Sequence, residues 1–248
     1  MKRKQKAKKA CPVVGVGEKV PYAHLTANQC KTLKPSPKAI GCGVYGCAYP
    51  QQGSDRVVKF TRDPEDVAGM KAMQDSGDAV KLYDSYRLRG VKGPGGRTLG
   101  KPVYAVIVER LKPLGYEDAF YIDQVFGLVA KSNAVVGIRS RTKTKAKTQK
   151  SLAPDVLLAL PGAKANIEAG CRYFVSKTRG ARLDRCLKVA NRALEITQSA
   201  ARHGLWFTDT HAGNFGYNKS GKIIASDLGL TYAKFDKPPA DLRGWRDL

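Results

Sequence analysis

Two aspartates and an asparagine are the residues in this sequence best suited to chemistry. Asp209 opens the run Asp209-Thr210-His211-Ala212-Gly213-Asn214, and Asp227 comes directly after a second apolar run, Ile223-Ile224-Ala225-Ser226. Carboxylates on either side of a β-hairpin, with an amide five positions after the first, suit a base that orients a hydroxyl. Asn214 and Asp227 would supply hard oxygen ligands for Mg²⁺.

Upstream, Gly41-Cys42-Gly43-Val44-Tyr45-Gly46 has the spacing G-x-G-x-x-G between two β-type stretches. That context predicts strand, turn, strand, whereas a dinucleotide-binding fold needs a strand-to-helix turn. Backbone at Gly41, Gly43 and Gly46 can fold over a triphosphate and aim N–H groups at it, with Tyr45 at the tip keeping water out. Lys59 interrupts the apolar stretch Val57-Val58-Lys59-Phe60. Standing after a glycine loop, it is expected to meet the α- and β-phosphates and to pair with a carboxylate of the next helix. Glu65 and Asp66 are the nearest candidates, and Asp75 and Asp78 stay open.

These residues need elements to position them. Cys47–Tyr49, Arg56–Phe60, Val80–Leu88 and Val103–Arg110 are rich in β-branched and aromatic residues, so they predict an antiparallel sheet. One helix interrupts it, with Asp63 as N-cap, Pro64 at the first helical position and Glu65 and Asp66 in the first turn. Val67, Met70 and Met73 form its apolar stripe. Residues 90–97, rich in glycine, join two of the strands.

Beyond Pro113 the periodicity turns helical, over Tyr116–Ala130, more weakly over Val156–Val175, and most clearly over Leu183–Arg202. There Leu183, Leu187, Ala190, Leu194, Thr197 and Ala201 recur every three or four residues. Asn218-Lys219-Ser220-Gly221 then predicts the turn between two short strands, Phe215–Tyr217 and Lys222–Ser226. The fold class is α+β. Residues 1–38, with four prolines and little periodicity, read as a basic extension ahead of the folded part.

Charge is the main compositional signal. Lys and Arg number 44 against 21 Asp and Glu, a net +23, so a polyanionic partner is in reach. Much of the excess sits in residues 2–9 and 139–150, neither holding an acid. Two readings stand for these tracts: solvated segments that aid solubility, or attraction to a nucleic-acid backbone. The six cysteines show no C-x-x-C and no metal-ligand spacing with His24, His203 or His211, so they read as reduced thiols. Without a long apolar run, no membrane contact is expected, and the chain reads as soluble and cytoplasmic.

Taken together, the glycine loop, the strand lysine, Asp209-x-x-x-x-Asn214 and Asp227-Leu228-Gly229 resemble the motifs of the protein-kinase-like superfamily, in its order. The matches span residues 40–111 and 183–230. The resemblance implies a bilobal fold, with an antiparallel-sheet lobe at 39–110 and a reduced, mainly helical lobe at 111–248. It implies ATP and Mg²⁺, with Asp209 as catalytic base, Asn214 and Asp227 as metal ligands and Lys59 on phosphate. Glu109-Arg110-Leu111 then resembles the hinge whose backbone holds adenine.

Phe207-Thr208-Asp209 stands where protein kinases have His-Arg-Asp, and His211 two residues later is similar to aminoglycoside and choline phosphotransferases. No Arg precedes Asp209 and no Ala-Pro-Glu follows Gly229, so the chain resembles small prokaryotic or phage-type kinases, placing it in the cytoplasm of a bacterial or virus-infected host cell. His211 reads first as a residue that bonds the backbone of its own loop. The function expected is phosphoryl transfer to a hydroxyl, Ser or Thr of a protein substrate foremost. A small-molecule phosphotransferase and a catalytically inactive, nucleic-acid-binding scaffold are the alternatives.

Overall fold

The structure is a computed structural model that describes residues 12–17, 22–43, 46–97, 99–100, 102–136, 162–203, 205–207, 210–227, 230–232 and 246–247. At Glu65, 129–136, 206–207, 230–232 and 246–247 the backbone alone is described. Asp209, Tyr45 and the basic tracts 2–9 and 139–150 lie outside the described residues. The chain is α+β and divides into two units: residues 1–64, 82–110 and 241–248, and residues 65–81 and 111–240.

The first unit is built on a sheet of six strands. β3 (Gly41–Cys42), β4 (Gly46–Pro50), β5 (Arg56–Thr61), β6 (Leu82–Leu88), β7 (Val103–Glu109) and β13 (Arg246–Asp247) lie in the order β13-β6-β7-β5-β4-β3. All neighbours are antiparallel except β13 and β6. Side chains alternate between faces, so register sorts them. Tyr49, Val58, Ile107 and, one step along, Cys47, Phe60, Ala105 and Tyr86 share one face and one apolar cluster. Lys59 stands on the other face, between Ala48 and Val106.

What covers the apolar face corrects the expected domain layout. The described residues 12–17 and 22–38 do not stand ahead of the fold: β1 (Val13–Val14), β2 (Ala23–His24), α1 (Ala27–Leu33) and the residues beside them supply Val14, Val16, Ala23, Leu25 and Leu33 to that cluster. A capping box starts α1, since Thr26 and Gln29 each accept the other's backbone N–H. Lys34, at φ 48°, ends it. The Tyr49 hydroxyl accepts from Gly15 N–H, Gln29 Nε2 donates to the Arg89 carbonyl at 2.8 Å, and Ser36 N–H donates to Pro50. Strands of two residues and a seven-residue helix are too short to show a period, which is why the stretch looks irregular as a sequence.

In the second unit α3 (Tyr116–Val136), α4 (Ala163–Lys177) and α5 (Leu183–Arg202) enclose a core that includes Tyr121, Ile122, Val125, Ile167, Phe174, Val189, Ala193 and Ile196. α5 has the bounds its periodicity predicts. Two small sheets complete the unit: β8 (Lys112–Pro113) with β10 (Phe215–Tyr217) and β11 (Ile223–Ala225), and β9 (Leu205–Phe207) with β12 (Leu230–Tyr232). α2 (Pro64–Ala72) forms where expected and buries Val67 and Met70 completely, and Met73, the residue just past its end, is fully buried as well. From Glu65 on, however, it groups with this unit and not with the strands, because Met73 and Ala79 enter the helical core. Five α-helices occur among the described residues, and none is long and apolar enough to cross a membrane.

Candidate functional site

The hairpin β10–β11 is the best-defined carrier of candidate chemistry. Its register, Phe215 with Ala225 and Tyr217 with Ile223, sets Asn214 and Ser226 opposite each other just past the strands. The Ser226 N–H donates to the Asn214 carbonyl at 2.8 Å, so Asn214 and Asp227 stand at the same end of one ladder. Asn214 is buried at 7 % exposure, and its own N–H donates to the His211 carbonyl at 2.9 Å. The opposite end is closed by Asn218, whose Oδ1 accepts from Ser220 and Lys222 N–H groups, with Gly221 at φ 77°. An amide oxygen and a carboxylate are the hard oxygen donors that Mg²⁺ takes, so Asn214 and Asp227 are the residues here that could hold it.

The loop before the hairpin is fixed from α3. Asp123 Oδ1 accepts the Ala212 N–H at 2.7 Å, and His211 Nδ1 accepts the Gly213 N–H at 3.0 Å. His211 therefore bonds its own loop, as its position implies, but from an exposed place and not from beneath. A Cβ at Gly213 would come within 2.8 Å of the exposed His211 ring, which would have to turn away and give up its bond to the Gly213 N–H. Gly216 is required, because its Cβ would meet Leu111 at 2.9 Å and the Lys112 carbonyl at 3.0 Å. Leu111, expected in a hinge, thus packs against the first strand of the hairpin.

Two ion pairs that no local pattern predicts hold the hairpin from the helices. Arg192 on α5 gives Nη2 to Asp78 at 2.6 Å and Nε to the Ile223 carbonyl at 3.0 Å, so one guanidinium joins the turn before β6 to β11. Asp78 also takes Lys222 Nζ at 3.3 Å, and its carbonyl accepts the Ala225 N–H at 2.9 Å. Burial alone would raise the Asp78 carboxyl, but bonds from Arg192, the Ser199 hydroxyl and Lys222 hold it below the ordinary carboxylate value. The second pair is bidentate: Arg185 on α5 grips Asp118 of α3 through Nε at 2.7 Å and through Nη2, which also donates to the Tyr217 hydroxyl at 3.1 Å. Asp78, one of four carboxylates considered for Lys59, is engaged by Arg192 and Lys222.

The glycine-rich segment is a hairpin, β3 turning into β4, as its spacing predicts. Three of its features follow from the register. First, Cys42 pairs with Cys47, their Cα atoms 4.0 Å apart, and the two are joined in a disulfide. This corrects the reading of reduced thiols: facing positions on adjacent strands bring two sulfurs together, although the residues are five apart in sequence. Cys30 is disulfide-bonded as well, while Cys171 and Cys186 are free and buried. The hydrogen bond to Cys186 and burial push the Cys171 thiol up.

Second, the Gly43 N–H, one of those expected to face phosphate, donates to the Gly46 carbonyl at 2.7 Å. Third, the glycines differ in kind. A Cβ at Gly46 would stand 2.5 Å from the Phe60 carbonyl, so close approach of β5 demands glycine there, whereas Gly41 and Gly43 have nothing within 4 Å. Lys59 is half-buried in the middle of β5. Asp66 is buried on α2, and Glu109 ends β7 opposite Arg56.

Compared with known proteins, the chain matches no protein-family model and no curated protein sequence.

Proposed function

We propose that this protein is an ATP- and Mg²⁺-dependent kinase of bilobal, protein-kinase-like fold that transfers the γ-phosphate to a hydroxyl, foremost a Ser or Thr of a protein substrate. What supports this reading is that Asn214, buried, and Asp227 follow the same end of one hairpin, in a chain whose separate sheet bears a central lysine. Asn214 and Asp227 would hold Mg²⁺, which would supply neutralisation of the phosphate charge.

The chain's own groups do the rest. Lys59 sets its ammonium against the α- and β-phosphates, and the backbone at Glu109 and Leu111 holds the base. Asp209 orients the acceptor hydroxyl and takes its proton as that oxygen bonds the γ-phosphorus and the bond to the ADP oxygen breaks. The ties from Asp123, Arg185 and Arg192 hold the loop and hairpin without reorganisation when the reaction occurs. Labelled ATP tests the reading. Transfer to general protein substrates in the presence of Mg²⁺ should fall by about 10³-fold or more in Asp209→Ala, and equal labelling by both proteins would overturn the assignment.

A further inference from the structure

We propose that the Cys42–Cys47 disulfide is a thiol–disulfide exchange site for a dithiol reductant, and that reducing it raises the affinity of the glycine hairpin for a nucleoside triphosphate. The second half rests on the nucleotide-binding reading above.

Exposure and position make this bond exchangeable. Cys42 is exposed on a two-residue strand at the edge of the sheet, whereas Cys47 is buried at 4 %. A thiolate can therefore approach the bond from the side of the exposed Cys42. The free thiols of Cys171 and Cys186 are both fully buried in the helical core, where no reductant or oxidant meets them.

The exchange balances as follows. One thiolate of the reductant bonds Cys42 Sγ, the sulfur–sulfur bond breaks, and its electron pair leaves on Cys47 Sγ, which takes up a proton. The reductant's second thiolate then bonds its own first sulfur and releases Cys42 as a thiolate that is protonated in turn. Two electrons pass to the protein, which ends as a dithiol, and the reductant ends as a disulfide.

The link to nucleotide lies in the Gly43 amide. While the disulfide holds Cys42 against Cys47, the next pair along, Gly43 and Gly46, is kept at hydrogen-bond distance, and the Gly43 N–H is spent on the Gly46 carbonyl at 2.7 Å. Once the bridge is open, no covalent tie holds β3 against β4, and the Gly43–Gly46 bond is left as a single backbone hydrogen bond at the end of a two-residue ladder. The hairpin end can then part and turn the Gly43 N–H toward an anion.

The test uses the full chain with a non-hydrolysable ATP analogue and Mg²⁺, oxidised or treated with a thioredoxin-type dithiol. Differential alkylation and mass spectrometry read Cys42 and Cys47. Conversion of both to alkylated thiols in the folded protein is expected; a bridge that opens only in denaturant overturns the exchange site. Calorimetry is expected to show about three-fold or more tighter analogue binding after reduction. Cys42→Ser/Cys47→Ser, which retains the Cys30 bridge, is expected to bind at the reduced value with or without dithiol. Equal affinity in both states, or a shift that persists in the double variant, overturns the coupling. If exchange occurs and neither state binds the analogue, the nucleotide reading and the coupling fall while the exchange site stands.

Discussion

Two hairpins carry the proposed chemistry, and they are secured by opposite means. β10–β11 is gripped by side chains from elsewhere in its unit: Arg192 reaches the Ile223 carbonyl, Arg185 reaches the Tyr217 hydroxyl, and Asp123 holds the loop ahead of it. β3, by contrast, lies at the edge of its sheet and is tied to β4 by backbone bonds and one disulfide. The contrast matches what each would do. Metal ligands need fixed geometry, which buried ion pairs and packed helices supply. A loop over phosphates has to admit and release a substrate, which a lightly held strand end allows.

Removing the grip should have the largest effect. Arg192 and Asp78 are only 17 % and 13 % exposed, so Arg192→Met strips a largely desolvated carboxylate of its guanidinium and removes the bond to Ile223. A loss of about 3 kcal/mol in a urea titration is expected, and a loss below about 0.5 kcal/mol would mean that the ladder alone holds the hairpin.

Acid weakens the same grip. The Asp78 carboxyl is held below its ordinary 3.8 in the folded chain. A carboxyl depressed on folding stabilises in full above its unfolded value, and that contribution is lost as pH falls through the folded value. Between about pH 5 and about pH 3 the wild type should therefore lose more stability than Asp78→Asn. Parallel acid profiles for the two proteins would remove Asp78 from the account.

On the lightly held side, glycine substitutions divide by position. Gly46→Ala would force a Cβ against the Phe60 carbonyl, which is backbone and cannot turn aside, so about 1–3 kcal/mol of destabilisation is expected. The smallest effect belongs to Gly43→Ala, where nothing lies within 4 Å; a thermal melt should shift by no more than about 0.5 kcal/mol is worth. Equal costs at the two positions would end the distinction between a glycine needed for packing and one needed at the turn.

Sequence pattern revealed these elements unevenly. α5 is legible to its ends because twenty residues keep one period, and β5 and β7 because buried strands read as apolar runs. Asn214 and Asp227 could be paired in advance because Asn218 to Gly221 announces the turn that sets their register. The residues that hold them could not. Asp78 and Arg192 lie 114 positions apart, and Asp118 and Arg185 lie 67 apart, distances at which no local period carries information. A retrospective signal exists in α5, where Arg185 and Arg192 follow one another by seven residues and so share a flank of the helix. The disulfide was legible too, had the glycine loop been read as a ladder: in a hairpin with two residues between Gly43 and Gly46, Cys42 must face Cys47.

The edges of the six-stranded sheet bear on how this protein behaves at high concentration. Among the described residues one edge strand is β3 and the other is β13, each of only two residues, so each is itself too short to offer a long row of N–H and carbonyl groups to a second molecule. β4, the full-length strand behind β3, ends at Pro50, which has no N–H to offer. Fibril growth by strand addition needs a flat, extended rim, and truncated rims deny it a template.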